Sequence, residues 1–152
     1  MIQRIQTVYL FLAAVLIVVC AAMPLATFVP SDIETPGVMY NLCIITPGVQ
    51  EWDYSVMPLS VLLLGSFMTS VLNIFGYKNR RRQMKVCLLA MAFIVLWIAL
   101  FLYLAGSMAP EGALTHYEYP AVLPLLALIF QWLARAAIKH DDDLVRAADR
   151  IR

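Results

Sequence analysis

The sequence predicts an all-α membrane protein with four transmembrane helices, and three observations lead to this fold class. First, 62% of the 152 residues are hydrophobic, 14% are charged, and the mean hydropathy is +0.80. A soluble domain is about half apolar and about a quarter charged, so the excess apolar surface must face lipid. Second, four stretches contain the roughly 20 apolar residues that a helix needs to cross a hydrocarbon core. Third, the basic residues are confined to one side of these stretches.

The predicted spans cover about residues 7–29, 55–77, 86–108 and 119–138, within a transmembrane domain at residues 1–139. Each span is predicted to be helical, because a single strand leaves its backbone groups unpaired in lipid. Pro24 predicts a kink in the first span, since proline removes a helical hydrogen bond. The first span also has features of a signal peptide, but its apolar stretch exceeds the roughly 7–15 residues of a cleaved leader. A retained signal anchor is therefore favoured over cleavage.

The charge distribution predicts the orientation of the chain. All 11 Lys and Arg residues lie before the first span, between the second and third, or at and beyond the end of the fourth. The two other connecting segments, residues 30–54 and 109–118, contain acidic residues and no basic one. Because Lys and Arg are retained in the cytoplasm during insertion, both termini are predicted to be cytoplasmic and these two loops extracytoplasmic.

The outer loops predict a small extracytoplasmic β cap. The sequence Thr-Pro-Gly-Val begins at Thr35 and again at Thr46, and a Pro-Gly pair favours a type II turn. Between the two turns, Met39 to Ile45 is rich in apolar and β-branched residues and is predicted to be a strand. Ala113 to Tyr119 in the second outer loop offers it a partner. The alternative is that both loops are disordered at the membrane interface.

Residues 140–152 are predicted to form a separate, short, amphipathic helix in the cytoplasm. Asp141–Asp143 have the composition of a helix N-terminus, where carboxylates cap the backbone and favour the positive end of the dipole. One apolar stripe with helical spacing follows, at Leu144, Val145, Ala148 and Ile151. The tail helix is expected to lie on the membrane surface or against a partner.

Gly65, Thr69 and Asn73 are spaced by four residues and share one face of the second span. Small and weakly polar residues let membrane helices approach closely, so helix packing is the favoured role for this face. A polar pocket or pore lining is the alternative. Gln131 in the fourth span is a candidate to form a hydrogen bond with Asn73.

Basic residues beside the spans are candidate contacts for anionic lipid or for a partner protein. The candidate contact residues are Lys78, Arg80, Arg81, Arg82, Lys85, Leu144, Arg146 and Arg150. Each basic residue near an anionic surface contributes about 1 kcal/mol, although the topological role alone explains the run at residues 78–85. Nucleic acid is not expected, because no aromatic platform or folded domain accompanies the charges.

The sequence predicts no catalytic, cofactor-binding or metal-binding site. No charged residue lies deep in a span, where ion pathways and proton relays usually place one. His116 and His140 fall on opposite sides of the membrane in the predicted topology, and no phosphate-binding, redox or zinc-protease motif is present. The protein is therefore predicted not to be an enzyme and to need no cofactor.

The two ends of the chain resemble a known family. Residues 1–10 read MIQRIQTVYL and residues 139–152 read KHDDDLVRAADRIR. Together with four spans at this length, the chain resembles the bacterial family called domain of unknown function 4293. The resemblance implies a small four-helix protein of a Gram-negative inner membrane. It brings no activity and no catalytic residues, but such a patterned tail suggests docking.

The expected function is that of a non-enzymatic integral inner-membrane protein, an accessory or scaffolding subunit of a larger membrane assembly. Its expected partners are the lipid bilayer and other membrane proteins, and a homo-oligomer remains open. The alternative is a small transporter or lipid-handling membrane protein that uses the Gly65, Thr69 and Asn73 face.

Overall fold

Four long helices make up most of the protein. The computed structural model describes residues 3–29, 36–48, 52–76, 80–109 and 113–149. The helices are α1 (Gln3–Ala22), α2 (Pro58–Phe75), α3 (Arg80–Ser107) and α4 (Leu123–Asp149), with a 3-10 helix at Tyr119–Val122. α1 and α3 each pack against both α2 and α4, so the helices form a closed bundle.

All four helices are long and apolar enough to cross a membrane, which confirms this part of the prediction and indicates a multi-pass membrane protein. Only 28–33% of the residues in their apolar stretches are buried inside the bundle. Large apolar side chains therefore cover the outside, as with Phe11 at 59% and Leu102 at 58% exposure. A continuous apolar surface of this kind is rare on soluble monomers and suits contact with lipid.

A small sheet closes one end of the bundle. Its strands are β1 (Ala26–Val29), β2 (Gly37–Met39), β3 (Ile44–Ile45) and β4 (Leu114–Tyr117), in the order β3-β2-β1-β4. All neighbours are antiparallel, and the central strand β1 pairs Ala26 with both Met39 and Tyr117. The predicted small sheet is thus confirmed. We call this the sheet end, and we call the opposite end, where α3 begins at Arg80, the basic end.

The first predicted span was wrong at its last residues. The span was expected to reach residue 29 with a kink at Pro24, but α1 ends at Ala22 and residues 26–29 form β1. Pro24 has no backbone N–H and disfavours helix in the residue before it. The β-branched residue Thr27 then pairs with Val38 on one side and His116 on the other, and Val29 pairs with Leu114, so the chain changes to extended structure.

The predicted strand from Met39 to Ile45 is instead two short strands joined by a turn. β2 ends at Met39 and β3 begins at Ile44, and the backbone N–H of Tyr40 donates to the Cys43 carbonyl over 2.9 Å. The second predicted strand is observed as β4, but β4 pairs with β1, which the prediction had assigned to a helix.

The tail does not form the separate helix predicted for residues 140–152, because α4 runs without interruption from Leu123 to Asp149. Asp141–Asp143 therefore lie within a helix and do not cap one. No proline or glycine interrupts residues 125–149, so nothing local stops the helix. Asp141 also finds partners across the bundle. Residues 150–152 lie outside the described residues.

Candidate functional site

The basic end carries most of the residues singled out by the sequence. Arg80, Arg81, Arg82 and Lys85 occupy the first two turns of α3, where Arg80 is partly buried and the other three are exposed. Lys78 and Arg150 lie outside the described residues. The basic run is therefore helical from Arg80 onwards, and successive side chains point in different directions around α3.

Asp141 joins three helices at this end. Its Oδ2 atom accepts a hydrogen bond of 3.3 Å from Gln6 Nε2 in α1 and lies 3.9 Å from Arg80 Nη2 in α3. The Asp141 side chain is only 11% exposed. A buried carboxylate needs such partners, because an unpaired charge away from water is costly. The contact fixes the point at which α4 leaves the bundle.

Beyond Asp141, the bundle-facing side of α4 loses its cover. The residues of α4 that lie fully inside the bundle alternate in steps of four and three: Ala127, Gln131, Ala134 and Ile138. Asp141 continues this series, and the next member, Val145, is 41% exposed. Leu144 beside it is 48% exposed. This spacing is that of a helix–helix seam, so an apolar seam continues past the helices that cover it.

Arg146 was also predicted to contact lipid or a partner, and its side chain pairs within its own helix. Its Nη2 atom lies 2.7 Å from Asp142 Oδ2, one turn earlier, and 54% of its side chain is exposed. An exposed pair of this spacing contributes only about 0.3–0.5 kcal/mol. The pair supports the helix but does not bind it to the bundle.

The face formed by Gly65, Thr69 and Asn73 lies toward α3. A Cβ atom at Gly65 would come within 3.2 Å of the Phe93 ring, so the absence of a side chain permits this approach. The Thr69 hydroxyl donates to the Gly65 carbonyl of its own helix over 2.8 Å. Asn73 Nδ2 donates to Cys87 Sγ in α3 over 2.9 Å.

The part of this face nearer the basic end, Thr69 and Asn73, borders a groove between α2 and α3 with a volume of about 420 Å³. Its lining includes Thr69, Leu72 and Asn73 from α2 and Arg82, Gln83 and Leu89 from α3. Gly65 is not part of the lining. The face is therefore divided into a tight helix contact at Gly65 and an open groove at Thr69 and Asn73, nearer the basic end.

A chain of polar side chains crosses the bundle interior and was only partly foreseen. Gln131 Nε2 donates to the Ser70 hydroxyl, which donates to the Ser66 carbonyl over 2.6 Å. The Ser66 hydroxyl in turn donates to the Ala90 carbonyl over 3.2 Å. The candidate bond between Gln131 and Asn73 is not formed, since Gln131 bonds to Ser70 and Asn73 bonds to Cys87. Ser66 and Ser70 share a helix face with Asn73, and this spacing was the available signal.

Two polar atoms of α4 remain without a hydrogen-bond partner among the described residues, namely Gln131 Oε1 and Arg135 Nε. Within the same residues, no group of three His, Cys, Asp or Glu side chains is placed to hold a metal ion. His116 lies in β4 at the sheet end, and His140 is exposed on α4 at the basic end.

A comparison with protein families matches almost the whole chain to a family model. The model of a family described as a domain of unknown function (DUF4293) matches residues 2–151, and the chain belongs to this family. A search of curated proteins found none that matches.

Proposed function

We propose that this member of the DUF4293 family is a non-enzymatic, multi-pass protein of the bacterial inner membrane that serves as an accessory or scaffolding subunit of a larger membrane assembly. The observation that carries the proposal is the uncovered seam of α4 at Val145 and Leu144. A helix seam with this spacing is built to receive another helix. The proposed occupant is therefore an amphipathic helix from a different membrane subunit.

The charge distribution supports an orientation with the basic end in the cytoplasm. The described residues of the sheet end, 23–29, 36–48, 52–57 and 113–118, contain no Lys or Arg, whereas α3 begins with Arg80, Arg81 and Arg82. Both termini and the α4 extension are then cytoplasmic. Alkaline phosphatase fused after residue 152 should be inactive, whereas a fusion truncated after residue 112 should be active. The reverse pattern would refute the orientation.

The continuity of α4 supports docking over attachment to the membrane surface. Residues 142–149 continue a helix that already crosses the bundle, and eight helical residues extend about 12 Å. A helix that continues the direction of a span carries its apolar seam away from the bilayer, where lipid does not cover it. Another protein helix is then the surface best suited to bury Val145.

A pair of photocrosslinkers tests the docking seam. An unnatural photoreactive residue is placed at Val145 or, as the matched control, at Asp143. Both positions are exposed, but they are two residues apart and so lie on nearly opposite sides of α4. We expect a discrete crosslinked product in intact membranes from position 145 only. Equal products from both positions, or no product from position 145, would contradict docking. A product with twice the mass of the chain would identify a homo-oligomer as the occupant instead.

The groove supports a lipid-handling role as a second candidate function. Transport along the whole Gly65, Thr69 and Asn73 face is poorly supported, because the Phe93 ring packs over Gly65. Thr69 and Asn73, in contrast, border an open groove with mostly apolar walls. Loss of bound lipid from the purified protein when this groove is filled by a larger side chain would support the second candidate.

A further inference from the structure

The groove between α2 and α3 combines apolar walls with a cationic end. Leu72 and Phe75, which are 66% and 72% exposed, form the α2 wall, and Leu89, at 50%, belongs to the α3 wall. Arg82 lies one helical turn before Val86, at the end of the groove where α3 begins. The groove thus runs along the helices from an apolar region toward an arginine.

The back of the groove is polar and fixed. Gln83 and Asn73 are 5% and 2% exposed. Gln83 Nε2 donates to the Asn73 carbonyl over 3.1 Å, and Asn73 Nδ2 donates to Cys87 Sγ. These bonds join the end of α2 to the start of α3, so the groove has a defined shape. A groove shaped in advance loses less entropy when a ligand binds.

The length of α3 places the two parts of the groove at different depths. Its 28 residues extend about 42 Å, whereas the hydrocarbon core is about 30 Å thick. The helix exceeds the core by about 12 Å, and its charged first turn, with Arg82, is the part expected at the level of lipid headgroups. Leu89, two turns further along, lies among the acyl chains. A molecule that fills the groove must be polar at one end and apolar at the other.

The charges select an anion for the polar end. No Asp or Glu belongs to the lining of the groove. Arginine binds phosphate oxygens with two parallel hydrogen bonds, which suits a phosphodiester at this depth.

We propose that this groove binds one anionic glycerophospholipid, with its phosphate on Arg82 and one acyl chain along Leu72 and Leu89. The inference rests on the second candidate function, lipid handling, and gives it a ligand class. It is independent of the docking seam on α4. A soluble phosphate compound would leave the apolar walls uncovered, and a neutral lipid would not use the cation.

The test uses the purified full-length chain in detergent and two matched pairs of variants. Native mass spectrometry follows the binding of phosphatidylglycerol and, separately, phosphatidylcholine. Arg82→Gln is compared with Arg81→Gln, which removes the same charge one residue outside the groove. Leu89→Trp, which fills the groove, is compared with Leu88→Trp at a similarly exposed leucine, 46%, that is not part of the lining.

We expect one phosphatidylglycerol molecule to bind saturably and more tightly than phosphatidylcholine. Arg82→Gln should weaken phosphatidylglycerol binding about fivefold, which corresponds to about 1 kcal/mol for one basic residue. Leu89→Trp should abolish saturable binding of both lipids. The control variants Arg81→Gln and Leu88→Trp should stay within about twofold of the wild type.

Two results would overturn the inference in different ways. If both lipids bind equally and Leu89→Trp alone prevents binding, the groove holds lipid but the assignment of an anionic headgroup to Arg82 is wrong. If neither lipid binds saturably, or if Leu88→Trp and Leu89→Trp act alike, both the lipid site in the groove and the proposed lipid-handling function are wrong. A melting temperature measured for each variant separates loss of binding from loss of folding.

Discussion

Trp97 Nε1 donates a hydrogen bond of 2.9 Å to Asn41 Oδ1, and this contact fastens the sheet end to the helix bundle. Both side chains are buried, Asn41 in the turn after β2 and Trp97 in α3. Asn41 Nδ2 also donates to the Cys20 carbonyl over 2.7 Å. Cys20 lies in the last turn of α1, where carbonyl groups lack helical partners. One amide thus caps a helix and pairs with an indole.

Replacing Asn41 should loosen the sheet end measurably. Asn41→Ala leaves the Trp97 N–H and the Cys20 carbonyl without their partner, and each unsatisfied buried group costs about 1–3 kcal/mol. Trp97→Phe removes the donor and keeps an aromatic ring beside Phe101, which stacks at 5.2 Å. A double-mutant cycle in detergent should give a coupling energy of about 0.5–3 kcal/mol. Strictly additive losses would show that the two side chains do not interact.

Asp141 should stabilise the basic end in a way that its neighbours in the acidic run do not. Asp141→Ala removes the acceptor for Gln6 and the ion-pair partner of Arg80, and hydrogen bonds to charged groups contribute about 1.5–3 kcal/mol. The matched control is Asp143→Ala, at an exposed position of the same helix, which should change stability by less than about 0.5 kcal/mol. Thermal unfolding in detergent measures both. Equal losses would indicate a general charge effect of the run.

The Asp53 carboxylate should make the stability of the sheet end depend on pH in the acidic range. The Ser55 hydroxyl and the Ser55 backbone N–H donate to its carboxylate and lower the pKa of Asp53. A lowered pKa contributes stability that is present above the unfolded value of about 3.9 and is lost as the pH falls through the folded value. The melting temperature of the wild type should therefore fall relative to that of Asp53→Asn below about pH 4. The difference is expected to be small, because the side chain is exposed.

The control for this prediction is Ser55→Ala, which removes only the hydroxyl. At acidic pH, the melting temperature of Ser55→Ala should fall less than that of the wild type does, each measured relative to Asp53→Asn. Melting curves of the wild type and Asp53→Asn that stay parallel from neutral to acidic pH would show that these hydrogen bonds add no stability. Asn at position 53 keeps an oxygen acceptor for the Ser55 N–H, so the turn before α2 is expected to persist in the variant.

The helices were predictable because hydropathy is a property of the local sequence, whereas several boundaries depend on distant residues. From the local sequence, Pro24 is equally consistent with a kink in the first helix and with the end of that helix. The end is decided by residues 26–29, which pair with strands that follow later in the chain. The acidic run at Asp141 suggests a helix start by composition alone. Its partner Gln6 is 135 residues away in sequence, and only the folded bundle brings them together.

The candidate site was predictable as a face but not as a set of contacts. The spacing of Gly65, Thr69 and Asn73 identifies a face of α2, but the partners Phe93 and Cys87 depend on how α3 is rotated against it. Asn41 was missed because residues 39–45 were predicted to be one strand, whereas Asn41 lies in the turn between β2 and β3. An asparagine within the apolar stretch from Met39 to Ile45 was nevertheless a signal of a buried polar contact.

Gly65 should tolerate no large side chain, because α2 and α3 approach each other there. Gly65→Leu drives a branched side chain into the Phe93 ring, which already lies 3.2 Å from an added Cβ, and overpacking costs about 1–3 kcal/mol. Gly106→Ala in α3 is the control, since nothing lies within 4 Å of its Cβ. This control should leave stability unchanged or raise it by up to about 1 kcal/mol, because alanine favours helix. Adding Phe93→Ala to Gly65→Leu should restore part of the loss, measured by thermal unfolding in detergent. Destabilisation of the double variant by the full sum of the two single losses would mean that Phe93 does not limit the size of residue 65.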